Sequence, residues 1–275
     1  MTRVSFEFFP PREAASVDKL VGNVAATLSE KQPDYFSVTY GAGGSTRDGT
    51  FETVEKLIQA GHDATPHLSI GNDSDASICE LLERYRSVGV KRIVALRGDV
   101  PSGSGSSQIN TNAETLVRLI RDRFDDAFDV YVAAYPEVHP DARSIDDDLD
   151  FFERKVKAGA DAAITQYFYS PYAYMDFRER CQARGLDLPI YVGIMPINSY
   201  ASIVRFSEKA GAEVPRWMLK KLEAIQDDEA SIREFGIEVC TRLCEDLIAQ
   251  DAPGFHFYTL NRWGAAKRIL DNLGM

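Results

Sequence analysis

A glutamate stands in the middle of the first apolar run, Val4-Ser5-Phe6-Glu7-Phe8-Phe9. A carboxylate among aromatic residues costs free energy unless it is paired, hydrogen-bonded or protonated. In a strand, the period of two puts Ser5, Glu7 and Phe9 on one face and Val4, Phe6 and Phe8 on the other. Pro10 and Pro11 end the strand, which leaves Glu7 near its C-terminal edge. A carboxylic acid with a raised pKa can donate a proton there. A structural carboxylate, satisfied by serine, arginine or backbone partners, is the alternative from this segment alone.

Other polar residues sit at the ends of later apolar runs: Thr39-Tyr40, His67, Arg97-Gly98-Asp99, Tyr135 with Glu137 and His139, Gln166, Gly193 with Pro196, and Tyr258 with Asn261-Arg262. Each also has a structural reading. Thr39 suits a strand as a β-branched residue, His67 suits a core imidazole bonded to backbone, and Arg97 with Asp99 suits a local salt bridge. Gln166 is harder to assign to the core, because a buried amide needs several partners. The set contains no compact nucleophile–base pair and no close group of metal ligands. A polar, aromatic-lined cavity of this make-up favours a flat organic ligand or cofactor.

These residues need a scaffold that gathers strand ends. Apolar runs rich in β-branched residues recur at about 3–9, 34–39, 63–69, 91–97, 128–135, 161–168, 189–195 and 254–260. Helix-like segments separate them at roughly 15–30, 50–60, 75–88, 112–124, 146–158, 172–184 and 199–210, with Gly61, Gly89, Gly159 and Gly185 as stop signals. A helix between consecutive strands implies parallel pairing. Eight such units predict a closed (β/α)8 TIM barrel spanning 1–275 as a single domain, with an open doubly wound sheet as the alternative. Residues 217–226 and 229–249 add helices between the seventh and eighth strands. All the polar residues above then fall at one end of the barrel.

Composition narrows the partners. The chain of 275 residues carries 31 Lys+Arg against 42 Asp+Glu, a formal charge of -11. That balance disfavours nucleic acid and anionic membranes as partners. No apolar stretch reaches membrane-spanning length, and the first strand begins too early for a secretory signal, so a cytoplasmic location is expected. The four cysteines form no CxxC pair, and Cys240 and Cys244 read as core-facing thiols on one helix. No GxGxxG follows the first strand, and Gly41–Thr46 is no P-loop.

The stretches VSFEFFPPR (4–12), SVTYGAGGSTRD (37–48), TPHLS (65–69), IVALRGDVPSG (93–103), VAAYPEVHP (132–140), AITQYFY (163–169), GIMPI (193–197) and FHFYTLNR (255–262) together resemble the methylenetetrahydrofolate reductase family of the bacterial, single-domain type. The resemblance runs in order along nearly the whole chain. It implies a (β/α)8 barrel with noncovalent FAD, which passes a hydride from NADH, preferred over NADPH, to 5,10-methylenetetrahydrofolate. The product is 5-methyltetrahydrofolate for methionine synthesis, and both substrates use the flavin in turn.

By the same resemblance Glu7 is the acid that protonates folate N10, in surroundings expected to be dried by Phe6, Phe8 and Phe9. Asp99 is expected near the flavin, lowering its potential and stabilising a cationic folate intermediate. Gln166 matches the pterin-binding amide, and Ser202, Phe206 and Arg262 fall at substrate-contacting positions. Thr39, Tyr40, His67, Arg97, Gly98, Asp99, Asn112, Ala113, Tyr135, His139, Ala142, Asp148, Arg154 and Lys155 match flavin-binding positions. Arg154 and Lys155 suit the pyrophosphate by charge, and Asp148 or Tyr135 the ribityl or ribose hydroxyls.

Three positions depart from the family pattern. Asn112 stands where Tyr is frequent, Ser202 where a longer glutamine is found, and Tyr167 where Phe is frequent. The resemblance also implies a dimer or tetramer, and no inhibition by S-adenosylmethionine is expected. Two rivals remain at this point: another flavin or one-carbon enzyme on the same barrel, and a catalytically silent folate-binding or assembly protein.

Overall fold

The structure is a computed structural model that describes residues 2–40, 47–71, 73–97 and 112–275. Eight parallel strands pair in chain order and close on themselves, β8 against β1. They are β1 Arg3–Phe8, β2 Tyr35–Val38, β3 Ala64–Ser69, β4 Arg92–Leu96, β5 Asp129–Ala134, β6 Ala162–Thr165, β7 Ile190–Ile194 and β8 Gly254–Tyr258. Each lies inside the stretch expected from sequence. The closed barrel, and not the open sheet, is the architecture.

Helices cover the outside. After β1 the chain runs through α1 Ala14–Lys19, a π-helical segment Leu20–Ala25 and α2 Ala26–Ser29. Then come α3 Arg47–Gln59, α4 Asp75–Ser87, α5 Ala113–Phe124, α6 Ile145–Lys157 and α7 Pro171–Ala183. Between β7 and β8 lie α8 Tyr200–Ala210, α9 Arg216–Ala224 and α10 Glu229–Ile248, and α11 Gly264–Asn272 follows β8. The extra helices expected in that interval are therefore present. Among the described residues no helix is long and apolar enough to cross a membrane.

The strand alternation separates two cores. Phe6, Phe8, Phe36, Phe255 and Phe257 face the helices and are fully or almost fully buried. Phe6 and Phe8 stack on Phe36 with ring centroids 5.9 and 5.2 Å apart. Inside the barrel a second cluster joins Tyr35, Val94, Tyr131, Ala162, Ile164 and Tyr191. Cys240 and Cys244 are buried on α10, as their spacing suggested.

Gly193 shows why a missing side chain matters in the interior. A Cβ there would lie 2.2 Å from Thr165 O and 2.7 Å from Tyr258 Cε2. The open space lets the Tyr258 ring cross from β8, where its hydroxyl donates to Thr165 O at 2.7 Å. The Gly193 N–H donates to Thr165 Oγ1 at 2.9 Å, tying β7 to β6 beneath Gln166.

Candidate active site

Register places the polar interior. Glu7 is level with Ser37 on β2 and Tyr258 on β8, while Ser5 is level with Tyr35 and His256. His67 comes from β3 and His256 from β8, so residues far apart in sequence meet only because the barrel closes. The backbone of Glu7 is fixed by its neighbours. Thr259 Oγ1 donates to Glu7 O at 2.6 Å, and the Asn261 amide grips Phe9 through both its N–H (2.8 Å) and its C=O (2.9 Å).

The Glu7 side chain enters a buried cluster. Its Oε2 stands 3.6 Å from His67 Nε2 and 3.7 Å from His256 Nε2. Both imidazoles approach Ser37 Oγ, at 3.2 Å from His67 Nε2 and 3.4 Å from His256 Nε2. Below, His256 Nδ1 lies 2.7 Å from Ser5 Oγ. Burial raises the Glu7 pKa to about 7, against the smaller opposing influence of His67. Burial lowers His67 to about 4 and His256 to about 3. Near neutrality the imidazoles are therefore uncharged, and Glu7 divides between acid and carboxylate.

Two sequence expectations are corrected here. The rings of Phe6 and Phe8 do not dry Glu7, because the pleat turns them to the helix side of the sheet. What removes Glu7 from water is the barrel interior itself. The expectation of no close group of metal ligands also fails: ligand atoms of Glu7, His67 and His256 all lie within 4.8 Å of one another. His256 and Ser37 were not singled out from sequence. The signal was there for His256, which sits between Phe255 and Phe257 as Glu7 sits between Phe6 and Phe8.

Thr39 lies above this cluster at the end of β2. Its backbone N–H donates to Phe8 O and its C=O accepts from Thr50 Oγ1. Its own buried hydroxyl has no hydrogen-bond partner among the described residues. Tyr40, next along, is half-buried. Gln166 follows β6, half-buried, with its Oε1 accepting from Tyr167 N at 3.1 Å.

A second group lies after β4 and β5 and on α6. Arg97 Nη2 donates to Asp141 Oδ2 at 2.7 Å. His139 stands edge-on to Tyr135 with centroids 4.5 Å apart, and its Nδ1 accepts from Asp141 N at 3.0 Å. The His139 N–H donates to Asp148 Oδ2 at 2.9 Å, and Ala142 N donates to His139 O at 2.9 Å. Lys155 Nζ donates to Ala133 O, and burial lowers its pKa to about 8, opposed by Asp148. Thus Arg97, Tyr135, His139, Ala142, Asp148 and Lys155 form one patch.

The remaining expected residues are more scattered. Arg154 turns away from Lys155: its guanidinium covers the Phe151 ring at 4.1 Å, with Nε 3.8 Å from Glu114 Oε2. Asn112 caps α5, its Oδ1 accepting from Thr115 N at 2.9 Å, and Ala113 is buried as the first helical residue. On α8, Ser202 N donates to Ser199 Oγ at 3.2 Å, and Arg205 lies over the Phe206 ring at 5.0 Å. Arg262 is exposed beyond β8, its N–H donating to Thr259 O. Gly98 and Asp99 lie outside the described residues.

Comparison with known proteins agrees with the sequence pattern. The model of the family described as methylenetetrahydrofolate reductase matches residues 1–274. A 5,10-methylenetetrahydrofolate reductase of Escherichia coli (strain K12) is 37% identical over 273 residues, covering 99% of this chain and 90% of that protein. A protein of Zea mays, methylenetetrahydrofolate reductase (NADH) 1, is 35% identical over 288 residues, covering 100% of this chain and 48% of that protein. Among solved structures, an uncharacterized protein from Clostridium thermocellum that binds two copies of 5-methyl-5,6,7,8-tetrahydrofolic acid superposes with a TM-score of 0.66. It is 16% identical and covers 100% of this chain and 96% of that one, a likeness of fold.

Proposed function

The chain belongs to the methylenetetrahydrofolate reductase family, and from that premise we propose that it reduces 5,10-methylenetetrahydrofolate to 5-methyltetrahydrofolate with Glu7 as the proton donor. The observation that carries this reading is the buried acid itself, with its pKa raised to about 7 at the strand ends of the barrel. A general acid works best when its pKa lies near the working pH.

Noncovalent FAD is part of the proposal. The residues fit such a group on one observation in particular: Thr39 Oγ1 is buried, close to the Glu7 cluster in the fold, and has no hydrogen-bond partner among the described residues. Thr39, His67, Arg97, Tyr135, His139, Ala142, Asp148 and Lys155 would hold it, with Lys155 and Arg97 supplying positive charge toward its phosphates. Bound there, a flavin supplies two-electron hydride transfer from NADH to the folate.

The protein's own contribution begins with the proton. Protonated Glu7 gives its proton to folate N10 and becomes a carboxylate. The N10–methylene bond breaks, its electron pair goes to N10, and the methylene carbon is left as an iminium on N5. Hydride addition to that carbon gives the methyl group. Gln166, with a donor and an acceptor on one amide, orients the pterin. Phe206 supplies an aromatic surface, and Arg262 a cation for the folate's acidic tail. The carboxylate formed on Glu7 faces two neutral imidazoles that both approach Ser37 Oγ, and by the family resemblance Asp99 would add negative charge favouring the iminium.

NADH as hydride source, supply of methyl groups for methionine synthesis, a cytoplasmic location and assembly as a dimer or tetramer belong to the same reading. The test is anaerobic stopped-flow absorbance in two mixes. NADH should bleach the flavin, and methylenetetrahydrofolate should then restore its colour. In Glu7→Gln the first step should persist while the second falls by about 10²-fold or more. Loss of both steps alike would overturn Glu7 as the folate acid, and bleaching without recovery in the unaltered protein would overturn the acceptor.

A further inference from the structure

Ligand atoms of Glu7, His67 and His256 gather within 4.8 Å of one another, close to the spacing of a metal centre. Around tetrahedral zinc, with bonds of about 2.0–2.2 Å, ligand atoms stand roughly 3.3–3.5 Å apart. Glu7 Oε2 lies 3.6 and 3.7 Å from the two Nε2 atoms, and Ser37 Oγ lies 3.2 and 3.4 Å from the same two nitrogens. Two imidazoles and one carboxylate form a donor set suited to zinc, whereas magnesium and calcium prefer oxygen alone. The His256 ring is oriented by Ser5 through Nδ1 at 2.7 Å, the outer contact that metal-binding histidines use.

Ser37 has one hydroxyl proton and two Nε2 atoms within reach. Ser5 Oγ approaches Phe255 O at 3.5 Å as well as His256 Nδ1. In the tautomer with its proton on Nδ1, donated to Ser5 Oγ, His256 turns an unprotonated Nε2 toward Glu7 Oε2, the form a metal ligand needs. Between Glu7 Oε2 and that nitrogen either the Glu7 proton or a cation can sit.

We infer that Glu7, His67 and His256 form an inhibitory zinc site, filled when the folate pocket is empty. The carboxylate and two neutral imidazoles hold the ion, with Ser37 or a water in the fourth position. The Glu7 and His67 side chains keep 11% and 9% exposure, which leaves the cluster an edge on solvent. A Glu7 carboxylate bound to zinc cannot carry a proton, so folate reduction stops. That consequence rests on the proposed role of Glu7; the metal site does not.

The full-length protein, flavin included, is dialysed against zinc chloride, assayed for zinc, and examined by zinc K-edge X-ray absorption. The expected result is one equivalent in a four-coordinate site with two imidazoles and no sulfur. Cys79→Ser, which alters the half-buried thiol on α4, should retain the ion, and His67→Gln and Glu7→Gln should lose it. Failure to bind one equivalent, a sulfur ligand, or retention by both His67→Gln and Glu7→Gln would overturn the site, and the absorption spectrum of the unaltered protein decides even if a variant misfolds. Zinc-loaded protein should lose the folate step by more than about tenfold and regain it on chelation. Zinc seated as expected with an undisturbed folate step would uphold the site and overturn Glu7 as the acid.

Discussion

The lower and upper layers of the barrel interior follow one strand alternation and use it differently. At the strand starts, Tyr131 stacks on Tyr191 with centroids 5.7 Å apart and meets Tyr35 edge-on at 6.0 Å. The Arg92 guanidinium covers the Tyr35 ring at 4.4 Å, and Arg3 Nη1 donates to the Tyr191 hydroxyl at 3.2 Å. Toward the strand ends the inward positions carry Glu7, Ser37 and His67, with His256 joining the two layers at the level of Tyr35 and Ser5. Burial acts on both layers with opposite consequences. It pushes the Tyr131 hydroxyl up to about 12, beyond reach of any ordinary pH, and brings Glu7 to about 7. The lower layer is inert to protons and packs; the upper layer is poised to exchange one.

That contrast can be broken from either side. The largest effect is expected from Tyr131→Ala, which removes a buried ring from the lower layer and should cost about 3–5 kcal/mol in denaturant unfolding. Both half-reactions, per folded molecule, should be unchanged. Selective loss of the folate step would show that the lower layer does more than pack. Gly193→Ala tests the join between the layers. Its Cβ would meet Thr165 O at 2.2 Å and Tyr258 Cε2 at 2.7 Å, an overpacking expected to cost about 1–3 kcal/mol. Because Thr165 precedes Gln166 and Tyr258 is level with Glu7, the folate step should also slow, by about tenfold or more. A lower melting temperature with an unchanged folate rate would separate Tyr258 and Thr165 from the site's geometry.

The sequence made some of this legible for identifiable reasons. Repeated strand and helix signals of ordinary length give the eight units, and the period of two assigns Glu7 and Ser5 to one face and Phe6 and Phe8 to the other. The same period, applied to Glu7 and its neighbours, already contained the correction about the phenylalanines, since residues on the far face cannot line the carboxylate. His256 escaped because only the polar end of its strand was read for chemistry. The Ser5–His256 contact spans 251 residues, and only barrel closure brings the two together. Asn112 illustrates another limit: a residue at a family's binding position also caps a helix, and local hydrogen bonding is visible only in three dimensions.

The central claim is that Glu7 is a buried acid that titrates near neutrality and serves only the folate step. The most direct test is the pH dependence of the two half-reactions, measured by anaerobic stopped flow between about pH 5.5 and 9. The working form is protonated and its pKa is about 7, so the folate step should hold its rate below that pH. Above it the rate should fall by about tenfold per pH unit, while flavin reduction by NADH shows no such limb. A folate step flat across neutrality, or an identical alkaline fall in both half-reactions, would contradict the account.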